Sequence, residues 1–141
     1  MINNEFNKIS AVQLYHVHLY YERGKETESV ARLVAEGIKS RFADKIIEEF
    51  NYKGLVGPHD GPNIALHFKT TGFADIVPWV QVNSKGLSVL VHPVTGSDLK
   101  SETKDHLEDS MWIGKQRGFN MDYFFPKQAK KVQNAQSRRP Q

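Results

Sequence analysis

Apolar residues fall at every second position in four segments of this chain and at helical spacing in two more. Val12 to Tyr21 is rich in Val, Leu and Tyr and reads as a strand, with Tyr15, Val17, Leu19 and Tyr21 on one face and Leu14, His16, His18 and Tyr20 on the other. From Thr27 to Phe42 the spacing turns helical, with Val30, Leu33, Val34, Ile38 and Phe42 on one stripe and Thr27 as the N-cap. Ala43 to Tyr52 supplies a second strand through Ile46, Ile47 and Phe50, and the Gly- and Pro-rich stretch Gly54 to Pro62 is a loop. Asn63 to Thr70 is a third strand, placing Ile64, Leu66 and Phe68 opposite Asn63, Ala65 and His67. Phe73 to Asn83 is a second helix around Ile76, Trp79 and Val80, which Pro78 either kinks or opens. Gly86 to His92 is a fourth strand, with Leu87, Val89 and Val91 opposite Ser88, Leu90 and His92, and Pro93 ends it. A short extra helix is expected over Thr103 to Gly114, carrying Leu107, Met111 and Trp112.

The order βαββαβ predicts an α+β, ferredoxin-like sandwich: an antiparallel four-stranded sheet in the order 4-1-3-2 with two helices on one face. Residues 1–125 make one domain, a size at which a core forms without staples. Residues 126–141 form a basic tail expected to be flexible, since it holds Lys127, Lys130, Lys131, Arg138 and Arg139, no acid and few apolar residues. Removing those five from the 19 basic residues leaves 14 against 16 acids, so the net charge of +3 belongs to the tail rather than the domain. The chain has no cysteine, which excludes disulfides and thiolate metal sites. Neither a signal-like segment nor a membrane-length apolar run occurs, and the expectation is a cytoplasmic protein with no membrane partner.

The sheet face turned away from the core carries histidines. His16 and His18 leave one face of a strand about 7 Å apart, close enough for two imidazoles to share an ion. His92 ends the neighbouring strand, beside the start of the first. His59 lies in the loop before strand three, which is expected to begin at that same edge, while His67 falls further along, toward the opposite edge. His16, His18, His59 and His92 can therefore converge. Neutral nitrogen ligands with open positions suit ferrous iron or zinc, and spacing does not choose between oxygen chemistry and hydrolysis.

Several function classes are excluded or disfavoured. There is no H-E-x-x-H helix, P-loop, G-x-G-x-x-G or G-x-S-x-G. Ferredoxin-like sheets also bind RNA through aromatics on the open face. Here that face offers only Tyr20, and the Arg/Lys-Gly-Phe-x-Phe motif is missing from strand three, so no nucleic acid is expected. A metal-binding domain without oxygen chemistry, zinc-bound or shifted in substrate, and a non-catalytic binding module remain as alternatives to an enzyme.

The residues just assembled resemble the DOPA 4,5-dioxygenase family, of the small fungal and bacterial type. The matching pieces are His16-Val17-His18-Leu19-Tyr20-Tyr21, Gly57-Pro58-His59, Val91-His92-Pro93-Val94-Thr95-Gly96, and Asp105-His106 followed by Trp112-Ile113-Gly114. The resemblance implies extradiol cleavage by O2 of a catechol such as L-DOPA or a related catecholic acid, with non-haem Fe(II), zinc being the alternative ion. It implies a homodimer, which an uncovered sheet face would favour. On this reading His16, His18 and His92 hold the metal, and His59 is a fourth ligand or, with His106, an acid–base group. Tyr20, His67 and Trp112 are candidate contacts to the substrate.

Overall fold

A computed structural model describes residues 2–126. Apart from its first residue, the expected basic tail lies outside the described residues. The elements run β1 (Leu14–Tyr20), α1 (Glu26–Arg41), β2 (Ile46–Tyr52), β3 (Asn63–Phe68), α2 (Phe73–Asn83), β4 (Val89–Val94), α3 (Leu99–Leu107), β5 (Met111–Ile113) and α4 (Met121–Phe124). The expected sandwich forms, with one strand more than predicted. The sheet is antiparallel throughout, in the order β2-β3-β1-β4-β5.

Strand alternation sorts the side chains as anticipated. Val17 and Leu19 of β1, Ile64, Leu66 and Phe68 of β3, and Val89 and Val91 of β4 pack under α1 and α2, joined by Val34, Ile38, Ile76 and Val80 from the helices. These side chains are almost wholly removed from water, and their burial is the main force holding the sandwich. The two helices approach closely at Gly37, where a Cβ would stand 2.7 Å from the Trp79 ring.

Four details differ from the sequence reading, and Pro78 takes one of its two expected places. The stripe of α1 is rotated: Ala31, Val34, Ala35 and Ile38 are buried, whereas Leu33 is 59% exposed, because small residues let the helix sit closer to the sheet. Thr27 lies inside α1 and is not its cap; its Oγ1 accepts from the Glu22 amide at 2.9 Å, and Lys25 precedes the helix without a side-chain cap. Pro78 stays inside α2, on an exposed side where water can meet the Ala74 carbonyl it leaves unpaired. Pro93 does not end β4. It pairs in register with Tyr15, and since β5 reaches only to Met111 opposite Val91, no strand needs a donor from Pro93 on its other side.

The last difference concerns residues 103–114, which are not one helix. Asp98 caps α3, its side chain accepting from the Ser101 amide, and the helix closes at Leu107. The Ser110 hydroxyl then bonds the His106 carbonyl, and Met111 to Ile113 pair with β4 as β5. The spacing of Leu107, Met111 and Trp112 imitates a helix across what is a turn. This segment and the loop before β3 fold over the histidine face: His59 bridges to Phe119, and the Asn120 amide donates to the Pro58 carbonyl at 2.8 Å. The chain's own segments thus cover that face over β1 and β4, while Phe50 on β2 stays 38% exposed beside His67.

Gly114 makes the turn out of β5 possible. Its φ is +77°, and a Cβ there would stand 2.5 Å from the Leu87 carbonyl oxygen. Gly24 has a similar φ of +73° with open space around it. Gly24→Ala should therefore cost about 1–2 kcal/mol, and Gly114→Ala about 1–3 kcal/mol more from backbone displacement. Urea unfolding checks this; equal costs would show that β5 does not need the close approach.

Candidate metal centre

All six histidines of the chain meet on one side of the sheet. The register makes the first row. His16 pairs with His67 across β3 and with His92 across β4, so three imidazoles stand side by side on three strands. His67 stacks on His16 with ring centroids 3.5 Å apart. This corrects its expected place toward the opposite edge: β3 begins opposite Tyr20, so five residues bring it back to His16. His18 stands two residues along β1 between Ala65 and Leu90, and its ring lies 5.2 Å from that of His92.

A second layer comes from above. His59 enters from the Tyr20 end of β1, not the His16 end as expected, because the loop folds back over the sheet; its ring lies 4.1 Å from His18. His106 hangs from α3 with its ring 3.9 Å from His92. His18, His59, His92 and His106 are all buried, and His16 and His67 are partly so.

Hydrogen bonds to the far side of each ring settle where the protons are. The Asn63 side-chain amide donates to the Gly61 carbonyl, which turns Oδ1 toward Nδ1 of His18 at 2.9 Å. That oxygen only accepts, so Nδ1 of His18 carries the proton. Nδ1 of His92 donates to the Pro93 carbonyl at 2.9 Å, and Nδ1 of His106 to the Glu102 carbonyl at 2.7 Å. Each of these rings therefore presents a bare lone pair at Nε2. The Nε2 atoms of His18 and His92 face each other at 3.1 Å, and Nε2 of His106 is buried with no hydrogen-bond partner among the described residues.

A proton shared between His18 and His92 would resolve the contact, but it would put a cation where burial resists one. Burial first, then neighbouring histidines, hold His18 and His92 well below the usual imidazole range. His16 is pushed down to about 3 by burial and then by His67, and His59 to about 3 by burial and then by His106. His67 and His106 are lowered too, chiefly by burial.

A divalent ion resolves it differently. Two nitrogens about 2.1 Å from one ion, at neighbouring coordination positions, lie about 3 Å apart. One nitrogen from each of His16, His18 and His92 falls within 4.8 Å of the others, and this group could hold a metal ion. The far-side bonds to Asn63 and Pro93 are the kind that orient metal-binding imidazoles.

Every histidine but His92 borders a cavity of about 220 Å³, whose walls Tyr52, Val56, Pro58, Glu102 and Tyr123 complete. His67 lines it. Tyr20 does not; its hydroxyl meets Nδ1 of His59 at 2.6 Å from behind. Trp112, on β5 rather than on a helix, packs 5.7 Å from the Tyr20 ring and borders a neighbouring cleft that shares His106. A larger cavity of about 520 Å³ lies elsewhere, walled by Tyr15, Phe73, Val91 and Met111; it touches no histidine. The histidine cluster opens onto the smaller space. Sequence reasoning put Asn63 on the right face without a role, and gave no role to Glu102 or Tyr123, which only the folding of α3 and α4 over the sheet brings in. Asp105, beside His106 in sequence, points away and accepts from the amide and hydroxyl of Thr95.

The fold and this cluster define a ferredoxin-like sandwich with an all-imidazole candidate metal centre. The sequence profile of the Dopa 4,5-dioxygenase family matches residues 15–123, and the chain belongs to that family. An uncharacterized 21.2 kDa protein of Botryotinia fuckeliana is 32% identical over 107 residues, which cover 72% of this chain and 58% of that one. A DOPA 4,5-dioxygenase of Amanita muscaria is 26% identical over 111 residues, covering 74% of this chain and 46% of that enzyme. The chain thus spans about half the length of the curated relatives it matches. A crystal structure from Nostoc punctiforme PCC 73102, described as a candidate dioxygenase, superposes with a TM-score of 0.74 at 27% identity, covering 87% of this chain and 99% of that one. The protein is dioxygenase-like in family and fold. Among the described residues no helix is long and apolar enough to cross a membrane.

Two outcomes follow from the geometry. Asn63→Ala frees the His18 ring and should weaken metal binding about 10- to 100-fold by titration with a divalent ion; unchanged affinity would deny Asn63 its orienting role. The buried histidines bind protons more readily unfolded, near pH 6.5, than folded, at about 3 for His16 and His59. Stability of the metal-free protein is then full above about pH 6.5 and is lost progressively as pH falls toward 3. Thermal melts across that range should show the decline, and a flat melting temperature from pH 7 to 4 would contradict it.

Proposed function

We propose that this chain is an extradiol ring-cleaving dioxygenase that opens a catechol, L-DOPA or a related compound, with O2 and ferrous iron held by His16, His18 and His92. The observation carrying this reading is the pair of facing Nε2 lone pairs in a member of a dioxygenase family. Three neutral nitrogens leave coordination positions free, as non-haem iron oxygenases require. Iron bound there supplies a Lewis acid that lowers the pKa of catechol hydroxyls and couples the ring to O2 electronically.

The chain's residues do the rest. His106 is the base: its proton is fixed on Nδ1, so the orphaned Nε2 can only accept, and a catechol hydroxyl is a suitable donor. His59 is the complementary donor. Burial keeps the Tyr20 hydroxyl protonated well past its usual range, and in the donor role proposed for His59 that hydroxyl donates to Nδ1 while the ring proton sits on Nε2. A donor and an acceptor, with ring centroids 5.9 Å apart, thus flank the same space. His67 stacks on His16 and limits the rotation of that ring. The loop before β3 and the segment after β5 keep bulk water from the centre.

Protein loaded anaerobically with ferrous iron, then given O2 and a panel of catechols, should consume one O2 per catechol and form a yellow product holding both atoms of isotopically labelled O2. His18→Ala should lose the metal, measured by elemental analysis, and turnover, while keeping a cooperative thermal melt. Full turnover in His18→Ala would overturn the ligand set. No O2 uptake by the iron-loaded protein with any catechol would overturn the reaction and favour a zinc-bound relative of other chemistry.

A further inference from the structure

Among the described residues, Glu102 brings the one formal charge to the walls of the histidine-lined cavity. It sits on α3 one turn before His106, about 6 Å back along the helix axis, and its side chain is half-buried. Helical spacing of four residues puts both side chains on one face. The Tyr123 hydroxyl donates to Oε2 of Glu102 and fixes the group in place. Held by this carboxylate, the phenol is pushed up to about 12 and stays a donor. Among the described residues Glu102 has no ion pair, and Oε1 has no hydrogen-bond partner.

Among the described residues, the nearby cations Arg117 and Lys104 are committed elsewhere. Arg117 bonds Asp60 through Nε at 2.9 Å and lies over the Tyr20 ring, outside the cavity. Lys104, on the same helix, pairs with Asp109 and lines the larger cavity instead. The cavity is otherwise walled by neutral imidazoles and by Tyr52, Val56 and Pro58, an environment that strengthens the field of an unpaired carboxylate.

We infer that Glu102, anchored by Tyr123, is a subsite for the side chain of the substrate and selects a catechol whose side chain ends in an ammonium over one that ends in a carboxylate. This rests on the reading of the cavity as a catechol site, and narrows it. A catechol held at the histidines by its hydroxyls points its opposite ring edge toward the mouth, and a two-carbon amine from that edge reaches a group one helical turn away. A carboxylate in the same place meets Glu102 as a like charge.

The test is calorimetric titration of the full, iron-loaded protein without O2, using three catechols that share a two-carbon unit on the ring and differ in what it carries: dopamine (ammonium), ethylcatechol (hydrogen) and dihydrocaffeate (carboxylate). Dopamine should bind at least tenfold more tightly than dihydrocaffeate, with ethylcatechol between. Glu102→Gln should reduce the dopamine-to-dihydrocaffeate preference at least fivefold, and Glu102→Asp, which retains the charge, should keep it. Glu108→Gln, on the exposed end of the same helix, should leave it unchanged, which separates a local contact from the net charge of the protein. Equal or tighter binding of dihydrocaffeate, an unchanged preference in Glu102→Gln, an equal effect of Glu108→Gln, or no binding of any of the three overturns the inference. Selective binding of dopamine without later O2 uptake would sink the ring-cleavage reading and leave the charge selection standing. Cleavage of all three catechols with equal kcat/KM would do the reverse.

Discussion

Two imidazole lone pairs pointed at each other across 3.1 Å repel unless something positive lies between them. The protein forces this arrangement from both sides. Asn63, itself held by the Gly61 carbonyl, fixes His18; the Pro93 carbonyl fixes His92. A third ring, His106, is fixed in the same sense by the Glu102 carbonyl. Burial prevents the simple escape of protonating one ring. A site that denies protons while gathering bare nitrogens could hold a metal ion, and this is the reading proposed for it.

The sheet supplies this constraint almost without loops. One row of residues crossing β3, β1 and β4 places His67, His16 and His92 at strand spacing, and the pleat returns His18 to the same face two residues on. Rows of this kind are held by backbone ladders and by the core on the other face, so the ligands rest on the most rigid part of the fold. The groups read as acid and base, His59 and His106, come instead from the covering segments, which hydrogen bonds and aromatic contacts fasten to one another. Separation of the two layers lets loops vary around a fixed centre.

Much of the sheet was legible because period-two patterning has few alternatives. The faces of β1, β3 and β4, and thus the shared side of His16, His18, His67 and His92, follow from alternation alone. Register is harder. The positions of His59 and His67 along the sheet were exchanged in the sequence reading, since the direction in which β3 starts was misjudged; in an antiparallel pair its first residue must oppose the last of β1, and Asn63 does oppose Tyr20. The stretch after Leu107 was misread because three apolar residues at helical spacing straddle a turn closed by the Ser110 hydroxyl. Asp98, an evident N-cap, would have started that helix at Leu99 and ended it sooner. Asn63, Glu102 and Tyr123 carried no local signal, for their roles depend on partners 45, 21 and 21 residues away.

The central claim concerns protons, and nitrogen-detected NMR of the histidine rings reads them directly. In metal-free protein at neutral pH, long-range proton–nitrogen correlations should show His18, His92 and His106 each protonated at Nδ1 alone. Adding zinc as a diamagnetic probe should shift Nε2 of His18 and His92 and leave their Nδ1 protons in place. A spectrum with the proton of His18 or His92 on Nε2, or one that zinc leaves untouched, would contradict the account.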